Sequence, residues 1–295
     1  MNRAVLVTLL LAGCGEVQLG GPCDQPADCP DAVCDLTDPA GGTCISKAGD
    51  LDGDGIPNTL DFCNHQPGGD LDDDRDGIGD VCDRCPTAPP PAKPDSDGDE
   101  VDSPCDPDPD VGGDRIAVFE SFNNGLPAGW TASAGWQFVA GEAIATPADP
   151  TVVEKLTTPL PLISQHLAIL GQYRIDATNP QASQNFAGVI GNDRRPAGGS
   201  SVQCTGTRTG GTDTLVLDTG ITTGTKLFGN LFDSASLYQV TVQLDLAQAA
   251  CAMIADTEIG AVQATGPGEA LTEAGLLARG ATARFQYLLV VQRAP

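Results

Sequence analysis

The chain has 295 residues, of which 40 are acidic and 15 basic, for a net charge of −25, and it contains 11 cysteines. So acidic a chain excludes nucleic acid as a partner, because a phosphate backbone needs Lys and Arg to meet it, and favours cations. The cysteine count excludes a reducing compartment and points to an oxidising one.

The first element is an export signal over 1–13. Arg3 precedes an apolar run from Ala4 to Leu11, too short for a spanning helix, which needs about 20 apolar residues. Leu11-Ala12-Gly13-Cys14 resembles the lipobox of bacterial lipoproteins. The resemblance implies cleavage before Cys14, acylation of its sulfur and attachment to a membrane. Ten cysteines then remain, an even number suited to disulfides.

Residues 14–49 form a Cys-rich spacer. Cys23, Cys29, Cys34 and Cys44 lie among Gly, Pro and Asp with almost no apolar residues, so disulfides must substitute for a core. Four cysteines allow three pairings, and the sequence does not choose. A tetrathiolate zinc site is the competing arrangement. It is disfavoured because exported thiols are oxidised and the spacings of these four lack a paired C-x-x-C.

Residues 50–114 are the acidic block, with 20 acidic and 3 basic residues. Three twelve-residue windows align. The first carries Asp50, Asp52, Asp54, Gly55, Ile56, Asn58 and Asp61. The second carries Asp72, Asp74, Asp76, Gly77, Ile78, Asp80 and Asp83. The third carries Asp95, Asp97, Asp99, Val101, Ser103 and Asp106. Ca²⁺ takes 6–8 oxygen ligands, and carboxylates at loop positions 1, 3 and 5 can turn inward around it. Position 6 must turn sharply, which glycine does at least cost. Position 7 offers its carbonyl, leaving Ile56, Ile78 and Val101 free to be apolar, and position 12 closes the shell. An EF-hand is disfavoured, since position 12 is Asp each time and no amphipathic helix flanks a loop.

The segment from Asp61-Phe62-Cys63 to Asp106 resembles thrombospondin type 3 repeats, most closely at Asp74-Arg75-Asp76-Gly77-Ile78-Gly79-Asp80-Val81-Cys82-Asp83-Arg84-Cys85-Pro86. That resemblance implies a calcium-wrapped chain with little regular structure. It also implies disulfides Cys63–Cys82 and Cys85–Cys105. Glu100 departs from the pattern where a loop glycine is expected. A disordered acidic linker would fit the composition but not the repeated D-x-D-x-D spacing. Apolar burial at about 25 cal/mol per Å² cannot offset ordering costs of about 1–2 kcal/mol per residue here, so metal ligation must contribute to folding.

Residues 115–295 read as a two-sheet jelly-roll sandwich. Tyr238, Val240, Val242 and Leu244 alternate with polar residues, as do Phe285, Tyr287, Leu289 and Val291. Shorter strands are expected at Trp136–Val139, Leu167–Ile175, Asn185–Ile190, Val202–Thr207, Thr214–Leu217 and Ala250–Ile254, with a short helix near Gly229–Ser236. Cys204 and Cys251, alone in this region, are expected to pair. The stretch with Phe119, Phe122, Trp130 and Trp136, and the closing GLLARGATARFQYLLV, resemble concanavalin A-like (laminin-G-like) sandwiches. The resemblance implies that those aromatics anchor the core.

No catalytic constellation is legible. Jelly-roll glycosidases resemble one another in an E-x-D-x-x-E strand, whereas Asp256 and Glu258 lack a third carboxylate. No G-x-S-x-G or H-E-x-x-H occurs. His65 and His166 have no nucleophile partner, and Asn192 to Arg195 read as a solvated loop. The expectation is a calcium-binding, lipid-anchored surface protein of the bacterial cell envelope, at the outer membrane. Its acidic repeats would display a sandwich for adhesion or glycan binding, with polysaccharide or a surface protein as partner, and it would not be an enzyme. The alternative is a polysaccharide-degrading hydrolase whose carboxylates no motif places.

Overall fold

The computed structural model describes residues 19–38, 40–68, 70–88, 95–192, 201–245, 247–255 and 258–293. The expected signal, Cys14, the Asp193–Arg195 run and Asp256 lie outside them. Among the described residues, no helix is long and apolar enough to cross a membrane. The fold is mainly β, and the chain divides into two compact units, Met1–Pro86 and Thr87–Pro295.

In the first unit, β1 (Val33–Asp35) pairs antiparallel with β2 (Thr43–Ile45). Disulfides Cys23–Cys34 and Cys29–Cys44 staple this hairpin. Cys23, Cys29, Ala32 and Cys44 are its buried cluster, so half-cystines serve as the core. The acidic chain that follows has no strand among its described residues. It is organised by turns and by the Cys63–Cys82 disulfide. Gly79 is required there, because a Cβ at this position would lie 2.6 Å from the Cys63 sulfur.

The second unit begins inside the acidic block, so the third window belongs with the sandwich. One sheet has seven strands in the order β12 (Thr223–Phe228), β11 (Thr212–Asp218), β10 (Val202–Thr209), β9 (Asn185–Gly191), β16 (Leu271–Arg279), β7 (Glu154–Ser164) and β4 (Thr131–Ala132). The other has eight. Its path is β15 (Glu258–Thr265), β14 (Gln248–Ala255), β13 (Tyr238–Asp245), β8 (His166–Thr178), β17 (Ala281–Arg293), β6 (Glu142–Ala145) and β5 (Trp136–Val139), with β3 (Asp114–Glu120) also paired to β17. All pairings are antiparallel.

The inward faces interlock as one core. Tyr173, Tyr238 and Phe285 are buried at its centre, with ring centroids 5.3 and 5.5 Å apart around Tyr173. Trp136 and Phe122 join this core, while Trp130 is half-buried and packs edge-on against Phe122 at 5.8 Å. Phe119 is half-buried against Tyr287 at 6.2 Å. Disulfide Cys204–Cys251 ties β10 of one sheet to β14 of the other.

Two expectations are corrected. The alternation of Phe285, Tyr287, Leu289 and Val291 is broken by a bulge between Phe285 and Tyr287, which slips the register by one. Leu288 and Val290 therefore join Phe285 in the core, because side-chain facing has a period of two. The stretch from Gly229 to Ser236 is turns, not helix. The Tyr238 hydroxyl accepts the Asp233 N–H at 2.9 Å and donates to the Asp233 carbonyl at 3.1 Å, giving this loop a non-helical anchor.

Candidate functional sites: acidic loops and a sheet groove

The three acidic windows fold into one hydrogen-bond pattern. The position-1 carboxylate accepts backbone N–H groups of positions 4 and 6. Asp50 takes Gly53 at 2.8 Å and Gly55 at 3.0 Å. Asp72 takes Arg75 at 2.7 Å and Gly77 at 3.0 Å. Asp95 takes Gly98 at 2.7 Å and Glu100 at 2.9 Å. The position-5 carboxylates of Asp54, Asp76 and Asp99 each accept the N–H of position 7. Those of Asp61, Asp83 and Asp106, at position 12, each accept the N–H two residues on.

The turn at position 6 has positive φ in all three loops, 96° at Gly55, 95° at Gly77 and 76° at Glu100. Glu100 thus adopts the glycine conformation, and the third loop forms despite the substitution. Asp102 caps its start by accepting the Asp95 N–H at 3.0 Å.

Each window gathers its aspartates of positions 1, 3 and 5. Ligand oxygens of Asp50, Asp52 and Asp54, of Asp72, Asp74 and Asp76, and of Asp95, Asp97 and Asp99 lie within 4.8 Å of one another in each group. Such groups could hold a metal ion. Asp61 and Asp106 are nearly buried, Asp80 and Asp83 half-buried, and Val101 fully buried behind its loop.

The decisive feature is what the loops leave unmet. Buried Oδ2 atoms of Asp52 and Asp74, both carboxylate oxygens of Asp97, and Oδ2 of Asp61 and Asp106 have no hydrogen-bond donor. They recur at position 3 of all three loops and at position 12 of the first and third. Buried carboxylate oxygens without partners are costly, and a bound cation would reduce that cost. The titration behaviour agrees. Burial, then Asp76 and Asp72, pushes Asp74 up to about 6. Burial, then Asp73 and its neighbours, pushes Asp80 up to about 7. Burial, then Asp99 and Asp114, pushes Asp106 up to about 6.

The Cys23, Cys29 and Cys44 sulfurs also cluster. They are disulfide-bonded, so they offer no thiolate to a metal. Cys85 and Cys105 are likewise each disulfide-bonded, as are all ten cysteines of the described residues.

A second feature was not legible in the sequence. A groove of about 450 Å³ opens on the seven-stranded sheet, lined by Lys155, Phe186, Gln203, Thr205, Thr207, Asp218 and Arg279, among others. Sheet order assembles it. β16 lies between β9 and β7, so Arg279 pairs with Phe186, and Leu277 beside it pairs with Lys155. In each strand these residues are the half of the alternation that faces away from the core. Thr205 and Thr207 are buried in the floor, their hydroxyls 3.0 Å apart.

Several other charged groups have partners within the fold. Arg284 pairs with Asp176 and with Glu142 at 3.2 Å, and Arg174 bridges the same two acids. His65 sits 2.9 Å from Asp35, and His166 sits 2.9 Å from Asp245. Glu154 accepts hydrogen bonds from Ser133 and the Gly135 N–H.

No family model matches the sequence, and no curated protein matches it. Among solved structures, the chain is similar to a Bacillus licheniformis beta-glucanase (TM-score 0.44, 10% identity, covering 62% of this chain and 100% of that one). It is also similar to a GH43 protein, BlXynB, from Bacillus licheniformis (TM-score 0.43, 12% identity, 59% of this chain and 39% of that one). A third is the carbohydrate binding module CBM66 from Bacillus subtilis (TM-score 0.39, 11% identity, 54% and 92%). At these identities and scores no residue role is carried over. The expectation that the chain is not an enzyme is nevertheless corrected. Glycoside hydrolases stand beside a binding module among the structures it is similar to.

Proposed function

We propose that this is a calcium-binding protein whose β-sandwich engages a polysaccharide. The observation that carries the calcium half is the recurrence of donor-less, buried carboxylate oxygens at position 3 of all three loops, joined by position 12 in the first and third. Ca²⁺ fits the donor set, which is all oxygen and flexible, and the residues that would hold it are Asp50, Asp52, Asp54 and Asp61, with their counterparts in the other loops. When bound, the ion supplies positive charge that cancels carboxylate repulsion. The chain's own backbone N–H groups pre-orient the position-1 and position-5 carboxylates.

The groove supports the polysaccharide half. Threonine and glutamine side chains suit hydroxyl-rich ligands, Phe186 adds an apolar surface, and about 450 Å³ is within the usual range for a ligand site. Turnover is a second reading, favoured by Asp218, the carboxylate among the groove's lining residues. Glycoside hydrolysis ordinarily uses two carboxylates, and Asp218 would be one of them. Attachment to the cell envelope through Cys14 completes the proposal, and mass spectrometry of the exported protein tests it.

The test is to incubate the full oxidised chain, with millimolar Ca²⁺, against a panel of insoluble polysaccharides. Depletion of the protein from solution supports engagement, and reducing-end release that is lost in Asp218→Asn supports hydrolysis. Neither depletion nor release from any polysaccharide would refute the polysaccharide half.

A further inference from the structure

We propose that the groove selects a glycan whose sugars carry carboxylates, and that Arg279 is the residue that meets the carboxylate. This rests on the polysaccharide reading above and names its ligand class. In a chain of net charge −25, two cations at one opening are a local departure. Lys155 and Arg279 line the groove from adjacent strands, β7 and β16. Asp218 lines it from β11, three strands from β16, a distance of about 14 Å at the usual strand spacing.

The setting of Arg279 differs from that of the other described arginines of the sandwich unit, each of which meets an acid. Arg208 is held by Asp213 at 2.6 Å, and Arg293 by Asp114 at 2.9 Å. The Arg279 guanidinium instead donates from Nε to the Pro150 carbonyl at 3.0 Å and from Nη2 to the Ser183 hydroxyl at 3.3 Å. Both acceptors are neutral, so they orient the planar fork without cancelling its charge. Asp149 feels this charge, but only as a minor influence behind its hydrogen bonds to Thr151. A fixed guanidinium matches a carboxylate in shape as well as charge. Phe186, in register with Arg279, and the hydroxyls of Thr205 and Thr207 are placed to receive the rest of a sugar. Nucleic acid presents a phosphate at every nucleotide and would need far more cations than these two.

The test uses the full oxidised chain at fixed, saturating Ca²⁺ in isothermal titration calorimetry. The probes are short oligomers of galacturonate, glucuronate and mannuronate, each paired with the same oligomer after its carboxylates are reduced to alcohols. The proposal expects at least one acidic oligomer to bind about tenfold or more tightly than its reduced partner. Arg279→Gln should abolish that preference, and Arg279→Lys should keep part of it. Lys155→Gln, which removes the neighbouring charge without touching the Pro150 and Ser183 bonds, should weaken it even if Arg279→Gln fails to fold. Equal binding of acidic and reduced oligomers would overturn the inference and leave the polysaccharide reading standing. Binding of neither here, nor of any polysaccharide in the depletion panel, would overturn both.

Discussion

The Asp99 carboxylate accepts the backbone N–H of Asp114 at 2.7 Å, tying the third acidic loop to the first residue of β3. Asp114 in turn pairs with Arg293 at 2.9 Å on β17. Gln243 of β13 donates to the Pro107 carbonyl at 2.9 Å, just beyond the same loop. The third loop is therefore wired into the eight-stranded sheet.

Calcium removal should accordingly destabilise the sandwich as well as the loops. An ion at 100 times its dissociation constant adds about 2.7 kcal/mol to the folded state it binds. Thermal unfolding followed by near-ultraviolet dichroism is expected to shift down on chelation. Asp99→Ala, which also strands the Gly113 and Asp114 N–H groups, should cost roughly 1–3 kcal/mol. An unchanged midpoint for this variant would disprove the coupling.

Glu100 and Gly77 make an opposed pair. Both stand at position 6 with positive φ. Glu100→Gly should relieve a conformation that costs an L side chain about 1–2 kcal/mol, less the extra entropy of glycine, for a net gain of up to about 1 kcal/mol. Gly77→Ala should lose roughly 1 kcal/mol. Urea midpoints measured with calcium present would show the two signs.

The raised carboxyls give a pH dependence of defined sign. Asp74, Asp80 and Asp106 have folded values of about 6 to 7 against an ordinary 3.8. Without metal, the folded state binds more protons than the unfolded state between these limits. Metal-free stability should therefore fall as pH rises from about 4 to about 7. Calcium affinity should rise over the upper part of that window, with proton release on binding. Calorimetry in buffers of different ionisation enthalpy would count those protons, and a count of zero at pH 6 would contradict the assignment.

The inter-sheet disulfide should matter more than its solvent-free surroundings suggest. Cys204 and Cys251, separated by 47 residues, join opposite sheets. Replacing both with alanine is expected to cost about 2–4 kcal/mol, read from denaturant midpoints.

Much of this architecture could be read from residue patterns. Tyr238 to Leu244 forms the alternating strand expected, and Trp136–Val139 is a strand over the same residues. Glu154–Ser164 escaped notice because Pro159 and Pro161 argue against a central strand. Its hydrogen bonding to β16 indeed lapses between Pro159 and Ser164. The Phe285–Tyr287 bulge had no signal of its own. The acidic loops were legible because their ligands are local in sequence. The groove was not, since Lys155 and Arg279 meet only through strand order, and polar outward residues look alike whether they face solvent or a ligand.

Calcium titration of the full, oxidised chain, followed by calorimetry or equilibrium dialysis, bears most directly on the whole account. With three carboxylate groups built alike, the result predicted is saturable uptake of about three ions per chain at up to millimolar Ca²⁺. Uptake should be reduced by about one in the triple substitution Asp72→Asn, Asp74→Asn and Asp76→Asn. No stoichiometric uptake at millimolar ion would contradict it.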